Sequence, residues 1–279
     1  MIINKTRIHT FTAIAAALYF LFGIAFADDF WFGPVFGEHY FTDGTWMNWL
    51  MLAIIIGAGY LQAKRFGEQE ITLEAEQSAL HTNGQVDDPA LWRLLLGNIH
   101  LAILWLPFRF FLGKEWLAAG EHKLRDSGWM DGGQSLLGYW TNAVAIPDPD
   151  SGRRPAITYD WFRDVLNYMI NHEWYTWFGK LVAVGEFMIG LGLIVGALVG
   201  IAAFFGTVLN VNFMLAGTTS SNPVLFGMTV FLVLAWKVAG HFGLDRWLLP
   251  ILGTPWNRDR TNRATTDPKI GNRTVQTSA

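Results

Sequence analysis

From Phe187 to Trp236 the chain carries no Lys, Arg, Asp or Glu. A soluble domain keeps charge on its exposed faces, whereas a segment of this length supplies two bilayer crossings at about 20 residues each. Charge is scarce elsewhere too, at 15% of residues against about a quarter in soluble domains, and apolar residues make up 52%. In lipid every backbone N–H and C=O must be satisfied within the segment, so long apolar stretches are expected as helices. The fold class read from the sequence is therefore an all-α integral membrane protein. A net charge of −3 excludes a basic nucleic-acid binder, and the absence of cysteine excludes disulfides, thiolate nucleophiles and iron–sulfur clusters.

Apolar runs predict six spans. They are residues 8–27, 46–63, 94–119, 177–195, 197–215 and 224–240. The third is interrupted by Arg109, Lys114 and Glu115, and the fourth contains Glu186. Gly217 to Pro223 reads as a polar turn between the last two. The first run also fits a cleaved signal peptide, with Lys5 and Arg7 before it and Ala25-Phe26-Ala27 at its end. Retention is the preferred reading, and the topology of the remainder is the same either way.

Lys and Arg cluster at the amino terminus, in the 64–93 loop and in the carboxyl-terminal tail, and are missing from residues 28–45 and 217–223. The positive-inside rule then puts both termini in the cytoplasm. This gives an acidic cytoplasmic loop over 66–93 (Glu68, Glu70, Glu74, Glu76, with a turn at Thr82-Asn83-Gly84), an exoplasmic segment over 120–176, and a polar tail over 251–279. Within the exoplasmic segment, Trp161, Phe162, Val165, Leu166, Met169 and Ile170 fall at helical spacing. They predict an amphipathic helix lying on the membrane or packed over the bundle.

Ionisable residues inside spans are costly, so they mark functional or structural pairs. Arg109, Gly113, Trp116, Gly120 and Lys123 follow one another at spacings of four and three and share one helical face. Its two glycines admit a second backbone. Counted from Leu94 at 1.5 Å per residue, Arg109 lies roughly 22 Å into its span, a depth that matches Glu186 and predicts an Arg109–Glu186 ion pair. With Trp116 and Asn210 or Asn212, such a pair could hold a polar headgroup, or it could simply fix helix register. His100 and His241 invite a haem reading, but an intramembrane histidine is more often a hydrogen-bonded helix contact. Most of the 14 tryptophans sit at span ends, as in an aromatic belt.

Two segments resemble the DoxX family. Arg109-Phe-Phe-Leu-Gly113-Lys-Glu-Trp116-Leu-Ala-Ala-Gly120-Glu-His-Lys123-Leu is similar to its first core helix, and Gly185-Glu186-Phe-Met-Ile-Gly190-Leu-Gly-Leu-Ile-Val-Gly196 to its second. Asn212-Phe-Met-Leu-Ala-Gly217 and Gly240-His-Phe-Gly-Leu-Asp245-Arg-Trp also fit. The resemblance covers residues 94–250 and implies a four-helix transmembrane bundle, with residues 1–65 adding two amino-terminal helices.

Some members of that family are similar to DoxD, the membrane subunit of thiosulfate:quinone oxidoreductase. The resemblance therefore implies oxidation of thiosulfate to tetrathionate outside the cell (inner) membrane of a bacterium or archaeon, with electrons passed to a membrane quinone. Arg109, Lys123 and His122 would attract the anion, and Glu186 would position Arg109 or take a quinol proton. Trp116, His122, Asn210 and Asn212 would line the substrate or quinone site. No covalently bound cofactor, metal site or nucleic-acid partner is expected; the bilayer, quinone and other membrane or exoplasmic subunits are. The alternative is a non-catalytic accessory or assembly subunit of a larger respiratory or photosynthetic complex, and a transporter is a third reading.

Overall fold

The computed structural model describes residues 2–37, 44–72 and 88–253. The expectations for Glu74, Glu76 and the 82–84 turn, and for the tail from residue 254 onward, lie outside them.

The first helix, α1 (Lys5–Phe26), starts behind Asn4, whose side chain accepts from the Arg7 N–H. It packs against α2 (Trp46–Phe66). Tyr19 donates to Met51 Sδ at 3.2 Å, and a Cβ on Gly59 would fall on Thr12. Those two contacts make the helices antiparallel. A short antiparallel pair, β1 (Ile2–Ile3) with β2 (Ile71–Thr72), ties their ends together.

The next predicted span is not one helix. Helix α3 (Ala90–Gly97) stops at Asn98, whose backbone is extended and whose side chain accepts from the His100 N–H. A 3-10 turn covers Ile99–Trp105, and α4 (Leu106–Arg125) follows with Pro107 in its first turn. The chain bends by 82° at this break.

The 120–176 segment folds on itself. It contains α5 (Ser127–Met130), α6 (Gln134–Val144) and α7 (Asp160–Asn171). Phe162, Leu166 and Met169 of α7 pack with Leu136, Trp140 and Ala143 of α6 in a core of their own, leaving Trp161, Val165 and Tyr168 exposed. The predicted amphipathic helix is thus present, with its buried stripe on α6.

Helix α8 (Tyr175–Val195) runs antiparallel to α4 along a glycine-lined seam. A Cβ on Gly120 would strike the Phe187 backbone, one on Gly190 the Leu117 backbone, and one on Gly113 the Ile194 side chain. Two glycines were expected on this face of α4, and their place is to let α8 approach at backbone contact. A tight turn at Gly196-Ala197-Leu198 leads to α9 (Val199–Leu215), then α10 (Asn222–Leu234), α11 (Trp236–Ala239) and α12 (Asp245–Ile251).

Among the described residues three helices are long and apolar enough to cross a bilayer: α1, α2 and α8. The bent α3–α4 pair makes a fourth if counted as one span. Helices α9 and α10 have 17 and 13 residues, and the chain breaks at Ala235 where one continuous sixth span is predicted. The described residues are mostly helical and compatible with a multi-pass membrane protein, and of the six expected spans three have the length and hydropathy of a crossing, or four with the bent pair.

Candidate functional site

The last turn of α4 brings Lys123 to the middle of α8, where its Nζ lies 2.5 Å from Glu186 Oε2. Glu186 is 1% exposed and its other oxygen, Oε1, has no hydrogen-bond partner. Lys123 also stands over two aromatic rings, 5.1 Å from the centroid of Trp129 and 5.9 Å from that of Phe213. A partly buried ammonium in contact with a buried carboxylate compensates part of the latter's lost hydration. The rings take up part of the remaining field of the ammonium.

This pair lines a cavity of about 330 Å³ at the end of the bundle that meets the 120–176 segment. Glu115, Trp116, Ala119 and Lys123 come from α4, Glu186 from α8, and Phe213 from α9. Thr218 and Ser221 come from the turn into α10 and Asn222 and Leu225 from α10 itself, while Trp129 and Tyr139 of the insertion form the remaining wall. Tyr139 and Thr218 share a 2.7 Å hydrogen bond between their hydroxyls, which ties α6 to that turn. Burial raises the Tyr139 phenol above its ordinary pKa, against the lowering effect of the bond to Thr218, so the hydroxyl stays protonated and able to donate.

Behind the cavity wall sit further polar atoms. Trp116 is 3% exposed, and its indole Nε1 has no partner. It lies against Gly206 of α9, 3.3 Å from where a Cβ would stand. Asn210, one helical turn further along α9, is fully buried with neither amide atom bonded.

Arg109 is elsewhere, which corrects the expected Arg109–Glu186 pair. Its fully buried guanidinium donates to four backbone carbonyls: Leu193 (2.9 Å), Ile194 (3.0 Å), Ala239 (3.0 Å) and Phe242 (3.4 Å). Because α4 begins only at Leu106, Arg109 lies in its first turn, about 21 Å along the axis from Lys123. The depth count from Leu94 assumed a straight helix, and the bend at Asn98 removes that assumption.

Arg109 closes the far end of the bundle together with Asp245. The Asp245 carboxylate accepts from the N–H groups of Leu198 (2.5 Å) and Val199 (2.9 Å), so it caps α9 while Arg109 satisfies the last carbonyls of α8. The turn between them is strained. Gly196 and Leu198 both have left-handed backbone (φ 69° and 48°), and a Cβ at Gly196 would strike the guanidinium. Burial raises the Asp245 carboxyl above its ordinary pKa, in opposition to those two N–H bonds and to Arg109.

Of the residues expected at the site, the structure brings Trp116, Lys123 and Glu186 to one cavity, while Asn210 is fully buried on α9 and is not among the residues lining it. His122 is exposed on the neighbouring face of α4. Asn212 is exposed as well and donates to its own helix at Val208 O, 2.8 Å away. His100 lies edge-on to Phe66, and among the described residues no three metal-ligating side chains converge.

The residues not anticipated are Glu115, Tyr139 and the 218–222 turn. Glu115 was visible as a charge interrupting a span. Nothing in the local pattern of the other two links them to α4. Compared with family models, characterised proteins and solved structures, the chain matches none.

Proposed function

We propose that the chain is the membrane subunit of a quinone-linked oxidoreductase, and that the cavity between α4, α8, α9 and α10 holds the quinone headgroup. The supporting observation is the Lys123–Glu186 pair at a cavity whose apolar side chains (Trp116, Ala119, Trp129, Phe213, Leu225) are interspersed with Glu115, Tyr139, Thr218, Ser221 and Asn222. Ligand sites are mostly apolar concavities of about 300–1,000 Å³ with a few convergent polar groups, and this cavity is at the small end of that range. A headgroup fits that size, with its isoprenoid tail left among the apolar helix faces.

A bound quinone supplies a two-electron acceptor that takes two protons on reduction. The residues present suit that demand. Lys123 donates to a ring oxygen and balances its growing negative charge. Glu186 and Glu115, both on the cavity, offer carboxyl groups to hold and deliver protons. Tyr139 and Trp129 cover the site from the insertion and limit access of water.

The resemblance to the DoxX family names thiosulfate as the electron donor. Two thiosulfate ions joined by a new S–S bond give one tetrathionate and two electrons, which the quinone takes with two protons. The cavity carries two carboxylates against one ammonium, so a dianion is disfavoured inside it. Oxidation of the donor then belongs at another surface or on a partner subunit, and the cavity serves the quinone half of the reaction.

Membranes containing the wild-type chain and its partners should form quinol when thiosulfate is added, and Glu186→Gln should abolish this. Equal rates in both would remove Glu186 from the reaction.

A second reading, an accessory subunit of a larger complex, draws on the exposed aromatic row of the insertion. Tyr159, Trp161 and Tyr168 are each more than half exposed, which is surface for a protein partner.

A further inference from the structure

Helix α7 has three sides. At about 100° per residue, Phe162, Leu166 and Met169 form one stripe, buried on α6. Trp161, Val165 and Tyr168 form a second apolar stripe beside it, which stays exposed at 58%, 46% and 53%. Asp160, Asp164 and Asn167 follow on the third side, where Asp160 pairs with Arg163. The buried stripe explains why α7 folds onto the insertion. It leaves the second stripe unexplained, since one apolar face is enough to join a core.

The exposed stripe does not end with α7. Glu173, with left-handed backbone (φ 55°), closes the helix: its N–H donates to Ile170 O and that of Trp174 to Met169 O, both at 3.0 Å. These bonds fix the step from α7 into α8. Across that step the Tyr168 ring lies 6.0 Å from Trp174, and Trp174 lies 5.7 Å from Trp177 in the first turn of α8. From Trp177 the exposed residues continue along α8 at spacings of four, three and four through Leu181, Val184 and Met188. Helix α8 has the length and hydropathy of a membrane crossing, so this stripe is its lipid-facing side. One apolar strip therefore runs from the lipid face of α8, over Trp177 and Trp174, onto α7. Lys180, exposed one turn further into α8 than Trp177, marks the level of the boundary, because an ammonium there reaches the headgroups along its own stem.

We propose that the Trp161, Val165 and Tyr168 stripe is seated in the headgroup–acyl boundary of the leaflet on the insertion's side, so that α7 anchors the insertion to the lipid surface. Tryptophan and tyrosine suit that layer, where the ring body meets lipid and the N–H or O–H meets water. Asp160, Asp164 and Asn167 then face water, and this acidic side has no attraction for anionic headgroups. Attachment rests on buried apolar area, and neutral lipid suffices. By its other stripe the anchor holds α6, which carries Tyr139 and its bond to Thr218 at the cavity. Lipid contact thus steadies the cover of the cavity, whatever the cavity binds.

The sequence has no cysteine, so single labels can be placed one at a time. Val165→Cys and Tyr168→Cys report on the stripe, Asn167→Cys on the polar side and Met188→Cys on the lipid face of α8. Each full-length variant would carry an environment-sensitive fluorophore and be reconstituted in phosphatidylcholine vesicles. The vesicles hold nitroxide lipids at shallow or deep acyl positions, and iodide serves as the aqueous quencher.

Interfacial helices bury their apolar face about 5–10 Å into this boundary. Labels at positions 165 and 168 should therefore lose emission chiefly to the shallow nitroxide and little to iodide. Met188 lies roughly 16 Å along α8 from Trp177, so its label should respond to the deep nitroxide. The label at position 167 should respond to iodide. The two stripe positions are independent, and either decides the matter if the other variant fails to reconstitute. Iodide quenching on the stripe equal to that at position 167 would put it in water and overturn the anchor. Protection from both lipid and iodide would mean that a protein surface covers the stripe, a second copy or a partner, and would overturn it as well.

Discussion

Lys123 Nζ stands 2.5 Å from Glu186 Oε2, joining the last turn of α4 to the middle of α8. The pair depends on the glycine seam beside it, since Gly120 lies less than one turn before Lys123 and packs directly on Phe187, the residue after Glu186. Close backbone approach and the ion pair are therefore one feature of the fold.

Removing Lys123 leaves the Glu186 carboxylate buried without compensation, whereas removing Glu186 leaves a partly exposed ammonium. Lys123→Met alone is expected to destabilise the protein by about 3–5 kcal/mol, and Glu186→Gln by less. The double variant, which removes both charges, should recover most of that loss. Unfolding midpoints in detergent, arranged as a double-mutant cycle, measure the coupling directly. Additive losses in the double variant would show that the two groups do not interact.

The seam itself is tested by two glycines on opposite sides of a contrast. Gly120→Ala places a methyl group against the α8 backbone and should force the helices apart, at about 1–3 kcal/mol. Gly185→Ala on α8 meets nothing within 4 Å and should be neutral or slightly stabilising by about 0.5–1 kcal/mol. Comparison of the two thermal transitions checks both statements at once.

Arg109 is expected to matter for folding and not for ligand. Its four carbonyl acceptors lie on α8 and around α11, at the opposite end of α4 from the cavity. Arg109→Met should lower the yield of folded protein sharply, because the carbonyls of Leu193 and Ile194, just before the strained 196–198 turn, and of Ala239 and Phe242 lose their donor. Arg109→Lys, which keeps a cation without the planar fork, should fold with a reduced transition temperature and bind quinone as wild type does. Loss of binding in folded Arg109→Lys would return Arg109 to the site.

Asp245 gives a pH dependence of defined sign. Its carboxyl is raised in the folded state, chiefly by burial, so the folded protein binds more protons than the unfolded one in the window just above the ordinary value of 3.8. Stability contributed by this group therefore falls as pH rises through that window and is level once the carboxyl is ionised in both states. Asp245→Asn should flatten this part of the pH profile, read from thermal unfolding between acid and neutral pH.

Much of this arrangement was legible in the residue order. Residues 46–63 and 177–195 were read as spans nearly to their observed ends, because each is a straight apolar helix with clear breakers. The face running from Gly113 through Trp116 and Gly120 to Lys123 was also legible, since spacing fixes which residues of one helix point together. Partners across helices were not.

Glu186 was assigned to Arg109 by counting depth along a helix that in fact breaks at Asn98. The cation it meets is the other one on the same face. The contribution of Tyr139 and Thr218 depends on how the insertion folds back over the bundle, and no periodicity encodes that. Asn212 looked equivalent to Asn210 in sequence, yet two residues on a helix differ by about 200° and only Asn210 faces inward.

The central claim, that a quinone headgroup occupies the cavity at the Lys123–Glu186 pair, is tested most directly by photo-crosslinking. An azido-substituted quinone would be irradiated with the purified full chain and the labelled peptides identified by mass spectrometry. Labels are predicted within residues 115–129, 186 and 213–225, competed away by unmodified quinone and reduced in the Lys123→Met, Glu186→Gln double variant. Labels confined to α1 and α2, or labelling that excess quinone does not compete, would contradict it.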